Sequence, residues 1–324
     1  MLDKKHLHIA LASDENYAEF VAIVITSLFA TNSGFDRITL HLLSNNISSV
    51  TINKISQHIP QTGELIVYDI DDISNRLKIN VPNTIAISAY SRLFLSNILP
   101  TNINKVLYVD CDVIFNNEIS ELWNINIANS SVAGVLDTLP DNKSKNNIGL
   151  SCNSPYINSG VLLINLSIWR QSNIEKQFID FLLAHNGIVH HHDQGIINAI
   201  CKDKLIIHPR YNLTSSYISH PYNLLSKTNT PFYSKEDVND AIIKPSIIHF
   251  TEGFYNRPWI KNSKHPFSST FHKYRNLTLW KDVSLRPDKR SFVVKILSFF
   301  FLNSPYWCYS IISNALNFLY KIIK

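Results

Sequence analysis

The sequence predicts an α/β protein built on a sheet of parallel strands. Three observations carry that prediction. Short apolar runs of strand length recur along the first half of the chain, helix-length segments stand between them, and acidic groups follow directly on two of the runs.

Taken in order, His8–Ala12 reads as a first strand, Tyr17–Thr31 as a long helix and Ile38–Leu43 as a second strand, which together open a βαβ unit. Leu65–Tyr68 and Val106–Val109 supply two more strands, with a helix expected over Ser91–Asn97 between them. In open α/β sheets ligands collect beyond the carboxyl ends of the strands, so Ser13-Asp14-Glu15-Asn16 and Asp110-Cys111-Asp112 should share one edge. Val132–Leu136 and Val161–Ile164 are further strands, and the polar run Asp141–Asn147 between them reads as a mobile loop. Ile174–His185 and Gln194–Cys201 suit helices, and Pro245–Phe250 suits a strand that delivers His249 to its end. In the final segment, Phe292–Leu302 is apolar on nearly all sides. Beyond Pro305, the residues Ser310, Ser313, Asn314, Asn317 and Lys321 form a polar stripe at helical spacing. Neither part reaches the roughly 20 apolar residues of a spanning helix, so the tail reads as an in-plane membrane helix or as a helix pair packed on the body.

Composition sets the outer limits. A chain of 324 residues with 45% hydrophobic content can bury one large domain with a small appendage. Its four cysteines, Cys111, Cys152, Cys201 and Cys308, stand too far apart for zinc-ligand spacing and give no sign of a disulfide framework, which fits a reducing cytosol. The amino terminus has no leader-like apolar stretch, and secretion is not expected. The formal charge of +5 is concentrated after Asp288, where no acidic residue remains. With no basic stripe elsewhere, nucleic acid is excluded as a partner, and an acidic membrane surface suits the tail.

The chemistry rests first on Asp110 and Asp112. Two carboxylates at i and i+2 past a buried strand can be aimed at one hard divalent cation that keeps sites free for phosphate oxygens. An acidic turn gives the same spacing. A phosphatase in which Asp110 is the nucleophile and Asp112 a general acid is the rival chemistry, but the pair lies far from the first strand and no later Gly-Asp-x-x-x-Asp cluster completes such a site.

Six segments in order resemble glycosyltransferase family 8, the retaining enzymes that include glycogenin and bacterial lipopolysaccharide galactosyl- and glucosyltransferases. They are Leu11–Tyr17, Ser88–Leu93, Lys105–Val113, Tyr156–Asn165, Asp193–Asn198, and His249 followed by Arg257-Pro-Trp259. The resemblance implies a GT-A-like, Rossmann-type mixed sheet with helices on both faces. Residues 1–265 would form the transferase domain, with a nucleotide-sugar half to about 115 and an acceptor half from 116, and 266–324 a helical, membrane-contacting tail.

The resemblance further implies Mn²⁺ or Mg²⁺ held by Asp110, Asp112 and His249, with a uridine diphosphate hexose as donor. Asp14 and Asn16 would hold the nucleoside and Tyr17 stack on the base. Arg92, Cys111, Asp137, Asn158 and Arg257 would line the donor, and Asp193 and Gln194 would face the anomeric carbon. Retention would follow from same-face attack or from a covalent intermediate on Asp193; both stay open. A lipopolysaccharide or related glycolipid acceptor, reached from the inner face of the cytoplasmic membrane, completes the expectation. Arg257 stands where relatives carry lysine, after a longer spacer. Bland alternatives remain for Asn158 and Gln194 as turn or capping residues, while His190-His191-His192 reads as a loop and Trp123 and Trp169 as core anchors.

Overall fold

Apolar runs without alternation need cover on both faces, and that is how the first-half strands sit. The computed structural model describes residues 5–70, 90–138 and 142–305. The strands are β1 (His6–Asp14), β2 (Arg37–Asn45), β3 (Gly63–Asp69), β4 (Lys105–Val109), β5 (Val113–Phe115), β6 (Val132–Leu136), β7 (Ile157–Asn165), β8 (Leu205–Ile206), β9 (Leu213–Thr214) and β10 (Ile247–His249). One sheet has the order β3-β2-β1-β4-β7-β6-β8, and a second has β5-β10-β9.

The expected parallel unit is present: β1 pairs in parallel with β2 and with β4, and β2 with β3. The strand expected over Val161–Ile164 is present within β7, but the alternation did not reveal its direction: it is fully buried and runs antiparallel between β4 and β6. The sheet is therefore mixed. Order reverses at β1, whose neighbours are β2 and β4, so the carboxyl ends of β1 and β4 flank a topological switch point. Asp14 and Asp110 stand at those two ends.

Two apolar clusters cover the faces. One joins Leu7, Ile9 and Leu11 to Phe20, Val24 and Leu28 of helix α1 (Ala18–Thr31). The other joins Tyr108, Leu162 and Ile164 to Trp169, Phe178 and Leu182. Trp169 is a core anchor as expected, and Trp123 is half-buried against the first cluster.

The polar run expected to be a mobile loop contains a helix, α2 (Asn142–Asn147). The cause is Lys145, which is only 1% exposed. Its ammonium donates to the carbonyls of Cys152 and Ser154 and to Asn229 Oδ1 at 3.2, 2.9 and 3.2 Å, which pins the helix to the body. Composition reads this lysine as solvated; its three acceptors lie outside the run. The three histidines also serve the fold. Ser144 Oγ and His190 Nε2 are 2.7 Å apart, His191 Nδ1 and Tyr156 OH 2.9 Å, and His192 opens helix α4, which follows α3 (Ile174–Ala184) and spans His192–Ile200.

Beyond residue 265 the packing continues, since Phe271 and Tyr274 of α5 (Ser268–Arg275) bury in the cluster that holds β1. Helix α6 (Phe292–Asn303) begins on a Ser291 cap that accepts from Val294 N–H. Phe301 lies 4.7 Å from the Phe254 ring, while Phe292 and Phe299 are 76% and 62% exposed. The polar stripe beyond Pro305 lies outside the described residues. No helix among the described residues is long and apolar enough to cross a membrane.

Candidate active site

Strand register assembles the site. Val109 of β4 pairs with Val161 of β7, and Asp110 N–H donates to the Gly160 carbonyl at 2.8 Å, so Asp110 lies against Gly160. Val113 of β5 pairs with His249 of β10, and Phe250 N–H donates to the Asp112 carbonyl at 2.9 Å. Asp110, Asp112 and His249 thereby offer ligand atoms that all lie within 4.8 Å of one another. His249 Nε2 is 3.1 Å from Asp112 Oδ1 and 3.9 Å from Asp110 Oδ2. Gly160 makes this approach feasible, because a Cβ there would sit 2.2 Å from His249 Cε1 and 2.9 Å from Asp110 Oδ2.

The hydrogen-bond chain behind His249 decides its tautomer. Gly160 N–H donates to Asn158 Oδ1 at 2.9 Å, which fixes that atom as the amide oxygen. Asn212 Nδ2 therefore donates to Asn158 Oδ1 at 2.8 Å, leaving Asn212 Oδ1 to accept from His249 Nδ1–H at 2.9 Å. Nε2 is left to face the carboxylates, the arrangement found behind metal-ligating imidazoles. Burial opposes charge on His249, but Asp112 beside it outweighs that and raises its pKa above the ordinary histidine range. Burial likewise works against Asp112 ionising, and His249 and Arg257 overcome it and hold its carboxyl below the usual range. Two oxygens and one imidazole fit a divalent cation of borderline hardness, and binding it at Nε2 would displace a proton.

Arg92 is 4% exposed and fully engaged. Its guanidinium donates to Asp110 Oδ1 at 2.7 Å and to the Ser159 carbonyl at 2.6 Å, its Nε lies 3.1 Å from Asp193 Oδ2, and its centre lies 4.4 Å above the Tyr108 ring. Tyr108 OH also donates to Asp110 Oδ1 at 3.1 Å. Asp193 is buried, accepts from Ser159 Oγ at 3.1 Å, and has its carboxyl pushed above the usual range by burial, partly offset by Arg92. Gln194 donates to Asp137 Oδ2 at 3.0 Å and accepts from Ser159 N–H at 3.0 Å. Asp137 Oδ2 also accepts from Asn158 Nδ2 at 2.8 Å, so an unbroken chain of side chains runs from Gln194 through Asp137, Asn158 and Asn212 to His249.

At the first strand, Asp14 accepts from Tyr17 N–H at 3.0 Å and caps the turn that opens α1. Asn16 is exposed and Tyr17 half-buried beside a cavity of about 780 Å³ that also reaches Arg257. Arg257 lies 3.6 Å from Asp112 Oδ2 and donates to the Phe250 carbonyl at 3.2 Å. Cys111, expected among the donor contacts, does not turn its thiol toward the acidic pair. Its thiol is buried, turned toward β1, and donates to the Ala12 carbonyl at 3.0 Å, so only its main chain can face a ligand.

Residue-by-residue reading of the sequence missed Asn212, Ser159, Gly160 and Tyr108. Asn212 carried only the signal of an Asn-x-Thr triplet, and Gly160 only that of a glycine inside an apolar strand.

A family model described as glycosyl transferase family 8 matches residues 8–263. General stress protein A of Bacillus subtilis (strain 168) is 28% identical over 283 residues, which is 86% of this chain and 96% of that protein. A lipopolysaccharide 1,2-glucosyltransferase of Escherichia coli is 23% identical over 287 residues, covering 87% of this chain and 81% of the relative. Among solved structures, a galactosyltransferase, LgtC, in complex with donor and acceptor sugar analogues superposes with a TM-score of 0.70 at 22% identity, covering 84% of this chain and 96% of that one. That superposition identifies the mixed sheet as a GT-A fold. With the family model spanning β1 to the loop after β10, and the acidic pair and histidine brought together inside that span, the chain belongs to glycosyltransferase family 8.

Proposed function

We propose that this protein transfers a hexose, galactose or glucose, from a uridine diphosphate sugar to a lipopolysaccharide or related surface glycan, with retention of configuration. The observation that carries this is the convergence of Asp110, Asp112 and His249 at the switch point of the sheet. A divalent ion, Mn²⁺ or Mg²⁺, held there would act as a Lewis acid on the departing diphosphate. Arg257 lies close enough to the same corner to pair with that diphosphate, as a planar fork rather than a point charge. Asp14, Asn16 and Tyr17 would take the nucleoside, and Asp137, Asn158 and Gln194 the sugar. Asn158 and Gln194 both donate to Asp137 Oδ2, so a hydroxyl that fails to match this set leaves buried partners unsatisfied, which favours one hexose over another.

Same-face attack is the better account of retention. Asp193 is occupied by Arg92 and Ser159, and Gln194 is an amide held at both ends, so neither is a free nucleophile. The phosphatase alternative is disfavoured because Arg92 and Tyr108 both donate to Asp110 Oδ1. A lipid-linked acceptor suits the exposed Phe292 and Phe299 beside Lys289 and Lys295, which would lie on the inner face of an acidic cytoplasmic membrane.

With Mn²⁺ and a panel of uridine diphosphate sugars, one hexose donor should release uridine diphosphate, and p-nitrophenyl phosphate should release nothing. The reverse pattern would sink the transferase reading. In Asp112→Asn, donor hydrolysis should fall at least about a hundredfold with an unchanged circular dichroism spectrum.

A further inference from the structure

Arg286 lies beyond the residues that the family model matches, yet it touches both walls of the candidate donor site. Its main chain is stitched to the loop that follows Arg257. The Arg286 N–H donates to the Trp259 carbonyl at 2.8 Å, and the Arg286 carbonyl accepts from Lys261 N–H at 2.8 Å. Its side chain crosses to the opposite wall. One terminal nitrogen donates both to the Asn16 carbonyl and to Glu19 Oε1, each at 2.7 Å, and the guanidinium centre lies 5.4 Å from the Tyr17 ring and 4.9 Å from the Phe20 ring. Between the two walls lies the cavity of about 780 Å³, whose lining includes Tyr17, Arg257 and Arg286.

We propose that Arg286 is a positioning residue for the donor nucleotide. It ties the Asn16–Tyr17 turn to the Arg257–Trp259 loop and so fixes the width of the cleft between nucleoside and diphosphate. This rests on the donor reading given above.

The physical reason lies in what each wall lacks by itself. The Asn16 turn is a three-residue segment, Glu15–Tyr17, exposed at Glu15 and Asn16, and the Asn16 carbonyl accepts across the cleft from Arg286. Glu19 stands in the first turn of α1, with its side chain only 12% exposed, where the partner that neutralises it is Arg286. A turn already held in place need not be ordered when the nucleotide arrives, so the tie favours binding without touching the reacting atoms. Its loss should therefore appear in the donor KM rather than in kcat.

The two walls are also held by different means. The main-chain bonds of Arg286 survive its replacement by alanine or lysine, so such a variant keeps the segment docked on Trp259–Lys261 and alters only the crossing to Asn16 and Glu19. A lysine can still bring one charged nitrogen to both acceptors, though it gives up the planar face over Tyr17 and Phe20.

The test uses the full chain with Mn²⁺, measuring uridine diphosphate affinity by calorimetry, donor hydrolysis kinetics, and the melting temperature of each variant. Arg286→Ala should raise the donor KM and weaken uridine diphosphate binding about tenfold with kcat within about threefold, and Arg286→Lys should recover most of that loss. Glu19→Gln, which leaves Arg286 in place without its counter-charge, should raise KM about threefold. A folded Arg286→Ala that binds as tightly as wild type, or that loses kcat at unchanged KM, overturns the proposal. So does a lysine variant no better than alanine. If Arg286→Ala fails to fold, Glu19→Gln decides, and an unchanged KM there overturns it. Failure of the wild-type chain itself to bind uridine diphosphate would defeat the donor reading, a result separable from all of these.

Discussion

Gly160 shows how one missing methyl group holds the site together. The space its Cβ would need is taken by the His249 ring and by Asp110, with contacts of 2.2 Å and 2.9 Å. Gly160→Ala should push the imidazole off the carboxylates, cost about 1–3 kcal/mol of stability, and weaken Mn²⁺ binding. Gly253→Ala is the control, since its added carbon would meet nothing closer than 3.6 Å, and it should melt within about 0.5 kcal/mol of wild type. Equal Mn²⁺ titrations for both variants would refute the steric account. At this scale Asp110 and Asp112 were legible, because their i, i+2 spacing after an apolar run is local. Asn212 was not, because what makes it matter is a partner on β10 and another on β7, and contacts between distant segments leave no periodic trace in a single chain. Arg92 was legible only through the resemblance, and what the sequence did not show is that it bridges Asp110 and Asp193.

Among the elements, β1 and β2 carry a buried ladder that bears on pH. His8 Nδ1 and His41 Nε2 are 3.1 Å apart, and His41 Nδ1 and Tyr68 OH are 3.1 Å apart. Burial first, and then the neighbouring histidine, push both imidazoles down to about 4, and burial alone does the same to His265. Their folded pKa values lie below the unfolded value of about 6.5, so the unfolded chain binds more protons between those limits. Their stabilising effect is complete above about pH 6.5 and is lost as pH falls toward 4, each histidine giving up at most about 1.4 kcal/mol per pH unit. His249, raised by Asp112, works in the opposite sense and offsets part of this loss. Melting followed from pH 7 to pH 5 should show a fall of several degrees; a level curve would contradict the ladder's part in stability. Strands β1 to β4, β6, β7 and β10 were readable from apolar runs, because period and length are local properties, while β5, β8 and β9, of two or three residues each, were not. Helix α2 escaped because nothing inside a run of polar residues says that its lysine will find carbonyls waiting elsewhere.

For the whole molecule, the join between body and tail decides what truncation does. Arg290 donates to the Phe254 carbonyl at 3.2 Å and to Ser298 Oγ at 3.0 Å, and Phe301 packs on Phe254 and Tyr255. Ending the chain at Pro305 should reduce sedimentation with anionic vesicles while leaving donor hydrolysis within about twofold, since α6 keeps its contacts with Phe254 and Tyr255. Ending it at Lys289 should also raise the donor KM, because the loop that carries Arg257 loses its support. Identical kinetics for the two truncations would mean that α6 holds nothing in the site. The architecture was largely legible from strand–helix alternation and the position of the acidic pair. What escaped was the antiparallel direction of β7, which is set by its neighbours rather than by its own composition. The pairing of Val113 with His249 has a consequence in time as well as in space. A chain emerging from the ribosome completes β1, β4 and both aspartates long before β10 exists, so the third corner arrives last and in a single register step. A slip of one residue there would present Ile248 to the two carboxylates and turn His249 into the core. Insertions on either side of β10 should then be tolerated in loops but never within its three residues, and competence for catalysis should lag behind the bulk of folding.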